Sequence, residues 1–213
     1  KMTSAYGAIK TNSKTKESAY SDLPHHFSLK DGTSLVLDRF SERDVPEGMA
    51  LLNDEIEEGV SWPFEEPLDE EGFKNYFLSH DAFSVRTFGA SDEGERLAGI
   101  FYIKPNFPGR CSHVCNGGFI TQPSLRGKGI GKTMGKAFLH FAKKLGYKSS
   151  LFNLVFANNV PSIKLWESLG FVKLAVIPNA GTLKGSRECV DAIQFYCGFD
   201  GFDSDKGLWI SNR

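Results

Sequence analysis

Arg126-Gly127-Lys128-Gly129-Ile130-Gly131 decides how this chain is read, because of what stands on either side of it. Before it runs a strand-like segment, about His113 to Thr121. After it, Ile130, Met134, Ala137, Phe138, Phe141, Ala142 and Leu145 recur at helical spacing, with Lys132, Lys136, Lys143 and Lys144 at other positions and Gly146 as the stop. A glycine-rich turn joining a strand to a long helix leaves backbone N–H groups unpaired beside the positive end of the helix dipole. Gly127, Gly129 and Gly131 permit the conformations this requires and put no side chain in the way of a phosphate. Arg126 and Lys128 add charge at the rim. A solvated glycine turn is the plainer reading of G-x-G alone; strand, loop, helix and basic rim together predict an anion cradle.

The loop matches neither common nucleotide-binding turn. Gly131-Lys132-Thr133 satisfies the end of a Walker loop, but Arg126 stands where its first glycine belongs. A dinucleotide fingerprint beginning at Gly127 requires a glycine where Lys132 stands.

Outward from the loop, Ser34 to Phe40 reads as a strand, and Ser41 caps a predicted helix over 42–58 with Asp44 as the acidic partner of a capping box. Trp62, Pro63, Phe64 and Pro67 form a stiff aromatic loop over 59–67, suited to core packing or to the wall of a ligand pocket. A helix over 68–78 follows, then a hairpin of strands over 83–88 and 97–103 around a turn at 90–95. Gly117-Gly118 suggests a bulge in the strand over 113–121, or a close approach by a ligand. Leu151 to Phe156 is an apolar run broken only by Asn153, which predicts a central strand covered on both faces. Pro161 opens a short helix that Gly170 closes, and 171–177 and 190–196 are the last strands. With no internal repeat, this order makes one mixed α/β domain over 28–213, preceded by a polar, aperiodic segment, 1–27, read as a flexible tail.

Composition narrows the function. A hydrophobic fraction of 40% and an aromatic fraction of 13% exclude a disordered or fibrous chain. Basic and acidic residues, 25 against 26, nearly cancel, so nothing global points to nucleic acid. No apolar run approaches membrane-spanning length and nothing resembles a signal peptide, so a cytoplasmic location with no membrane partner is expected. An organellar address ranks second, leaving a mitochondrial pool as the alternative. His113 lies between Cys111 and Cys115, yet C-x-H-x-C is not a common zinc framework, and Cys189 and Cys197 add no second cluster. Free thiols and no metal are expected.

Two motifs together resemble the GCN5-related N-acetyltransferase (GNAT) superfamily. Arg126, Gly129 and Gly131 match its cofactor loop; Asn159, Ser162, Leu165, Leu169, Gly170 and Phe171 match its later signature, in the right order over roughly 34–200. The resemblance implies an α/β acyl-CoA N-acyltransferase fold, a mixed sheet flanked by helices and splayed between the strands ending near Thr121 and beginning near Leu151, with acetyl-CoA as acetyl donor. It implies cofactor contacts from Phe119, Ile120, Thr121, Arg126, Gly127, Lys128, Gly129, Ile130, Gly131, Lys132, Asn159 and Trp166.

One branch is more similar still. Phe101-Tyr102-Ile103-Lys104-Pro105-Asn106, Arg110-Cys111-Ser112-His113, Cys115-Asn116 and Phe152-Asn153-Leu154-Val155-Phe156 resemble the yeast N-acetyltransferases that detoxify L-azetidine-2-carboxylate. That branch implies a homodimer that acetylates the ring nitrogen of small cyclic proline analogues and is linked to oxidative stress. Asn116 is implied to bind the substrate carboxylate and Asn153 to position the reacting amine. Phe119, Trp62 and Trp166 complete the implied substrate-binding set.

The chain departs from the wider pattern. Trp166 stands where a tyrosine acid is usual, and an indole N–H cannot serve as an acid near neutral pH; no Asp or Glu lies between Cys111 and Thr121. The usual acid/base pair is missing, so positioning by asparagine and polarisation of the thioester carbonyl by the Phe119 N–H or its neighbour carry the expected mechanism. Asn153, amid apolar neighbours, would cost about 1 to 3 kcal/mol if buried unpaired, so it has a purpose, structural or chemical. Asn159 reads as a helix cap as well as a cofactor contact. Lys104 and Arg110 are weaker candidates, facing anionic ligands; His113 and a covalent route through Cys111 or Cys115 are weaker again. The alternatives to a small-molecule enzyme are a transferase acting on protein or peptide amines, which needs a long open groove, and an inactive acyl-CoA-binding sensor.

Overall fold

Apolar residues in Ser34–Arg39 and Asp81–Thr87 and a nearly continuous apolar run in Leu97–Pro105 build the centre of the sheet. The structure, a computed structural model, describes residues 17–88 and 94–201. The elements are β1 (His25–Ser28), β2 (Ser34–Arg39), α1 (Val45–Glu58), α2 (Glu70–Phe77), β3 (Asp81–Thr87), β4 (Leu97–Pro105), β5 (Val114–Thr121), α3 (Ile130–Lys144), β6 (Ser149–Phe156), α4 (Val160–Ser168), β7 (Val172–Gly181) and β8 (Val190–Gly198). They form one sheet in the order β1-β2-β3-β4-β5-β6-β8-β7, antiparallel throughout except where β5 meets β6.

Two cores cover the faces. On one, α3 buries Ile130, Met134, Ala137, Phe138, Phe141 and Ala142 against Phe83, Phe101, Phe152 and Phe195. On the other, α1 and α2 bury Leu52, Ile56, Phe73 and Phe77 against Ile100, Tyr102 and Ile120. The expected mixed, splayed sheet is present: β5 and β6 pair only at Val114–Ser149 and Cys115–Ser150, then part.

Ser41 and Asp44 do join as the sequence predicts, since the Asp44 carboxylate accepts from the Ser41 N–H at 2.8 Å and from its hydroxyl at 2.9 Å. The helix does not begin there, however. A 3-10 turn spans Glu42–Asp44 and α1 starts at Val45, because Asp44 is fully buried and turned toward Arg86 at 2.7 Å and Ser84 at 3.3 Å.

Three expectations are corrected. Residues 17–27, read as tail, are structured: Tyr20 is buried against Phe83 and Phe141 and bonds to Asp81, while β1 pairs with β2. A polar, aperiodic composition hid one aromatic anchor and the Asp22 carboxylate, which receives the Lys144 ammonium at 2.6 Å and sits 2.7 Å from His140. Residues 1–16 of that expected tail, most of the 90–95 turn, and 202–213 lie outside the described residues. Gly117 and Gly118 make no bulge, since β4 and β5 keep unbroken register through Ile103–Gly117 and Tyr102–Gly118. They are small because rings crowd them: a Cβ on Gly117 would come within 2.7 Å of Phe138, and one on Gly118 within 2.6 Å of Tyr102 and 2.7 Å of Trp62. The bulge lies in β6 instead, where register with β8 shifts between Phe152 and Val155. That leaves Leu154 42% exposed rather than covered on both faces and bends β6 where the cleft opens.

Candidate active site

Peptide orientation along β5 defines the cleft. The Asn106 N–H bonds to the Val114 carbonyl and the Gln122 N–H to Ala98, so even-numbered residues of β5 turn their peptide groups toward β4. The His113 carbonyl accepts from Lys148, just before β6, and fixes the odd-numbered set toward β6. In a regular strand this alternation continues, so Phe119 and Thr121 present N–H and C=O to the cleft from which β6 has withdrawn, and Gly117 presents its C=O. Ile120 differs: its peptide faces β4 and its side chain is 2% exposed in the α1/α2 core, so neither reaches the cleft.

At the head of the cleft, the loop adopts the conformation its glycines allow. Gly127 and Gly129 have φ of +80° and +97°, and among the described residues nothing lies within 4 Å of a Cβ at either. Gly131 is helical, and an added methyl would meet Leu165 only at an ordinary 3.6 Å. None of the three glycines is required by crowding from the protein; the space they leave faces the N-terminus of α3. Arg126 is less free than a rim cation, pairing with Glu55 at 2.6 Å and Glu58 at 3.4 Å on α1, while Lys128 pairs with Asp31 at 3.3 Å. Ile130 is buried at the start of α3, whereas Lys132, in the same first turn, is exposed. Asn159 caps α4, its side-chain oxygen accepting from the Ser162 N–H at 3.1 Å.

The predicted substrate residues divide between the two faces. Trp166 is 4% exposed and wedged between Phe119 and Phe152, with ring centroids 4.8 and 4.6 Å away; it fills the α3 side of the opening. The Phe119 side chain belongs to that same face, packed on Phe101 and Phe138. Asn116 lies on the opposite face, across from Lys104, and Trp62 joins the α1/α2 core there. The Asn116 side-chain oxygen accepts from the Gly117 N–H at 2.8 Å, which leaves its amide N–H groups to donate outward.

Sequence reasoning undervalued Asn106. It forms a reciprocal amide pair with Asn153, its N–H donating to Asn153 at 3.1 Å and Asn153 donating back at 2.6 Å. Each amide keeps one N–H and an acceptor lone pair for a ligand. The pairing answers the desolvation of Asn153 and fixes its orientation. Only the fold, which sets the end of β4 beside the β6 bulge, makes this pair visible.

Aromatic rings close this face. The hydroxyls of Tyr76 and Tyr102 lie 3.0 Å apart, Phe64 packs on Tyr76, and Trp62 stands at right angles to it. Burial raises both phenols, Tyr76 to about 12, so both stay protonated. Above them the loop after α1 is tied across the cleft. Asn158 donates to the Val60 carbonyl at 3.1 Å, and Lys184 donates through its backbone to Gly59 at 2.9 Å and through its ammonium to Glu57 at 2.7 Å. Cys115 is buried on the α3 face with its thiol pushed up by burial, and Cys111 is exposed, so neither is placed as a nucleophile. Among the described residues no three potential metal ligands gather, and no helix is long and apolar enough to cross a membrane.

A strand edge that turns backbone N–H groups into a cleft beneath a glycine-rich turn fits an elongated thioester ending in phosphates. The comparisons agree with that geometry. The sequence profile of the acetyltransferase (GNAT) family matches residues 49–171. The N-acetyltransferase aca1 of Schizosaccharomyces pombe is 43% identical over 155 residues, which cover 67% of this chain and 74% of that protein. Protein SPT10 of Saccharomyces cerevisiae is 32% identical, the match covering 81% of this chain but 35% of that much longer protein. A GNAT superfamily phosphinothricin acetyltransferase from Sinorhizobium meliloti, solved in complex with AcCoA, superposes with a TM-score of 0.67 at 18% identity, covering 84% of this chain and 97% of that one. This chain therefore belongs to the acetyltransferase (GNAT) family, and acetyl-CoA is its acetyl donor.

Proposed function

We propose that the chain acetylates the ring nitrogen of L-azetidine-2-carboxylate and related small cyclic proline analogues by direct transfer from acetyl-CoA. The observation that carries this reading is the tied roof. Bonds from Asn158 and Lys184 to residues 57–60 close the acceptor side over Trp62, where a peptide substrate needs an open groove. Beneath the roof the polar groups are few and suited to a compact amino acid: Asn116 donates to its carboxylate, and the Asn106–Asn153 pair orients its nitrogen. The Phe119 N–H, at the cleft edge, stabilises the charge that grows on the thioester oxygen.

Self-association, as the resemblance implies, is assigned to the sheet edge. Val172, Leu174 and Val176 of the edge strand β7 are 57–58% exposed, apolar surface suited to a second copy of the chain. We place the protein in the reducing cytoplasm, where its four free cysteines are stable.

Coenzyme A release is to be measured with L-azetidine-2-carboxylate, L-proline, cis-4-hydroxyproline and a lysine-bearing peptide, with product masses checked. Acetylated azetidine with the peptide rejected is the expected result; turnover of the peptide alone overturns the substrate reading. In the same assay Asn153→Ala is expected to lower kcat about 10- to 100-fold, since misplacing a reacting group by 1 Å costs on that order. Its acetyl-CoA affinity is expected to stay at the parental value, and unchanged turnover refutes the role given to Asn153.

A further inference from the structure

We propose that Lys104 is the proton acceptor of the transfer, taking a proton from the acceptor nitrogen before that nitrogen attacks; the proposal rests on the acetyltransferase reading of the site. Neither the family pattern nor the asparagines supplies such a group, because an amide cannot take up a proton at neutral pH.

Position is the first argument. Lys104 lies near the end of β4, directly across from Asn116 on β5 and two residues from Asn106. Its Nζ is 4.2 Å from the ring centroids of both Tyr76 and Tyr102. The Tyr102 ring in turn lies over Gly118, next to the Phe119 N–H. The amine is thus held above the strand segment that carries both the implied carboxylate donor and the implied oxyanion donor.

Surroundings are the second argument. The titratable groups facing Lys104 are Tyr76 of α2, Tyr102 of its own strand and His80 of the turn before β3. Both tyrosines are kept protonated, and burial, with Lys104 adding to it, drives His80 down to about 4, so all three are neutral near pH 7. Among the described residues no carboxylate pairs with Lys104, and burial alone brings its amine down to about 8. Roughly one molecule in ten then carries the free base at pH 7, close to the optimum for a base at that pH. The buried Trp62 Nε1 and His80 Nε2 also have no hydrogen-bond partner among the described residues, which marks this space as one that a polar ligand completes.

The acceptor arrives as an ammonium ion. Neutral Nζ takes one of its protons, and the resulting lysine ammonium is stabilised by the two ring faces. The freed lone pair forms the C–N bond to the acetyl carbon while the carbonyl electron pair moves onto oxygen. Collapse breaks the C–S bond, and the proton still on nitrogen passes to the departing thiolate, giving amide and thiol. Lys104 returns its proton to water when product leaves.

Lys104→Met and Lys104→Arg are to be compared with the parent in steady-state kinetics from pH 6 to 10, with acetyl-CoA affinity and melting curves measured alongside. For the parent, kcat/KM is expected to rise with pH through an inflection near 8, as Lys104 loses its proton. At pH 7 Lys104→Met is expected to lower kcat ~100- to 10,000-fold, with acetyl-CoA affinity unchanged and the inflection gone. Lys104→Arg keeps the charge but cannot release a proton, so it is expected to be as slow. Recovery by arginine, or a raised KM with kcat intact, would show an anion anchor and overturn the proposal, as would an inflection that persists in Lys104→Met. The kinetics use whichever amine the parent acetylates, so failure with azetidine-2-carboxylate alone sinks the substrate reading and still decides Lys104. A parent that turns over no amine overturns both.

Discussion

Replacing Gly129 by glutamate is expected to raise the dissociation constant for acetyl-CoA at least ~100-fold, because like charges brought together cost several kcal/mol. Gly129 is the residue from which α3 springs: its φ is +97° and its carbonyl accepts the Thr133 N–H at 3.0 Å. Among the described residues nothing lies within 4 Å of an added Cβ, so the substitution meets no clash there. Its side chain enters the space the loop leaves open for phosphate and carries the wrong sign there. A left-handed backbone adds about 1–2 kcal/mol for a residue with a Cβ. Gly129→Asn separates the two effects, since asparagine tolerates that conformation and is neutral. Isothermal titration calorimetry is expected to place it far closer to the parent than to Gly129→Glu. Binding by the glutamate variant within a few-fold of the parent would mean that the phosphates lie elsewhere.

Asp44→Ala is expected to destabilise the protein by about 3–5 kcal/mol, the cost of stripping one partner from a buried ion pair. The Asp44 carboxylate is fully buried and holds Arg86 at 2.7 Å, Ser84 at 3.3 Å and both donors of Ser41. Arg86 is itself 5% exposed, and its remaining partner, Glu47 at 2.7 Å, also accepts the Leu97 N–H at 3.0 Å. The network thus fastens the start of α1 to β3 and β4, and α1 carries Glu55 and Glu58, which hold Arg126 of the loop. Urea unfolding is the measurement. Asp44→Asn, which keeps an acceptor for Arg86, is expected to lose less, and a loss below about 1 kcal/mol in Asp44→Ala would show that Glu47 alone satisfies Arg86.

Local signals named the turns, the caps and the buried helix face. Glycine spacing ahead of an amphipathic run identified the cradle, since left-handed φ at Gly127 and Gly129 is a property of those residues themselves. The periodicity of Ile130 to Ala142 likewise fixed which face of α3 is buried, because a helix repeats on a length the sequence displays. The cap at Asn159 and the Ser41–Asp44 pair are equally local.

What the sequence alone determined is therefore the fold class, the family and the order of elements: an α/β acetyltransferase domain with a glycine-rich turn leading into its longest helix. Which groups meet was decided by tertiary structure, because strand pairing brings together residues far apart in the chain. Asn106 joins Asn153, Lys104 is held between Tyr76 and Tyr102, Tyr20 anchors a polar segment, and Arg126 is claimed by α1. The division of Asn116 and Phe119 between opposite faces follows from the two-residue repeat of β5, but what covers each face depended on where α1, α2, α3 and the tied loop pack. Packing of that kind is set by the summed burial of both cores, and no single stretch of sequence carries it.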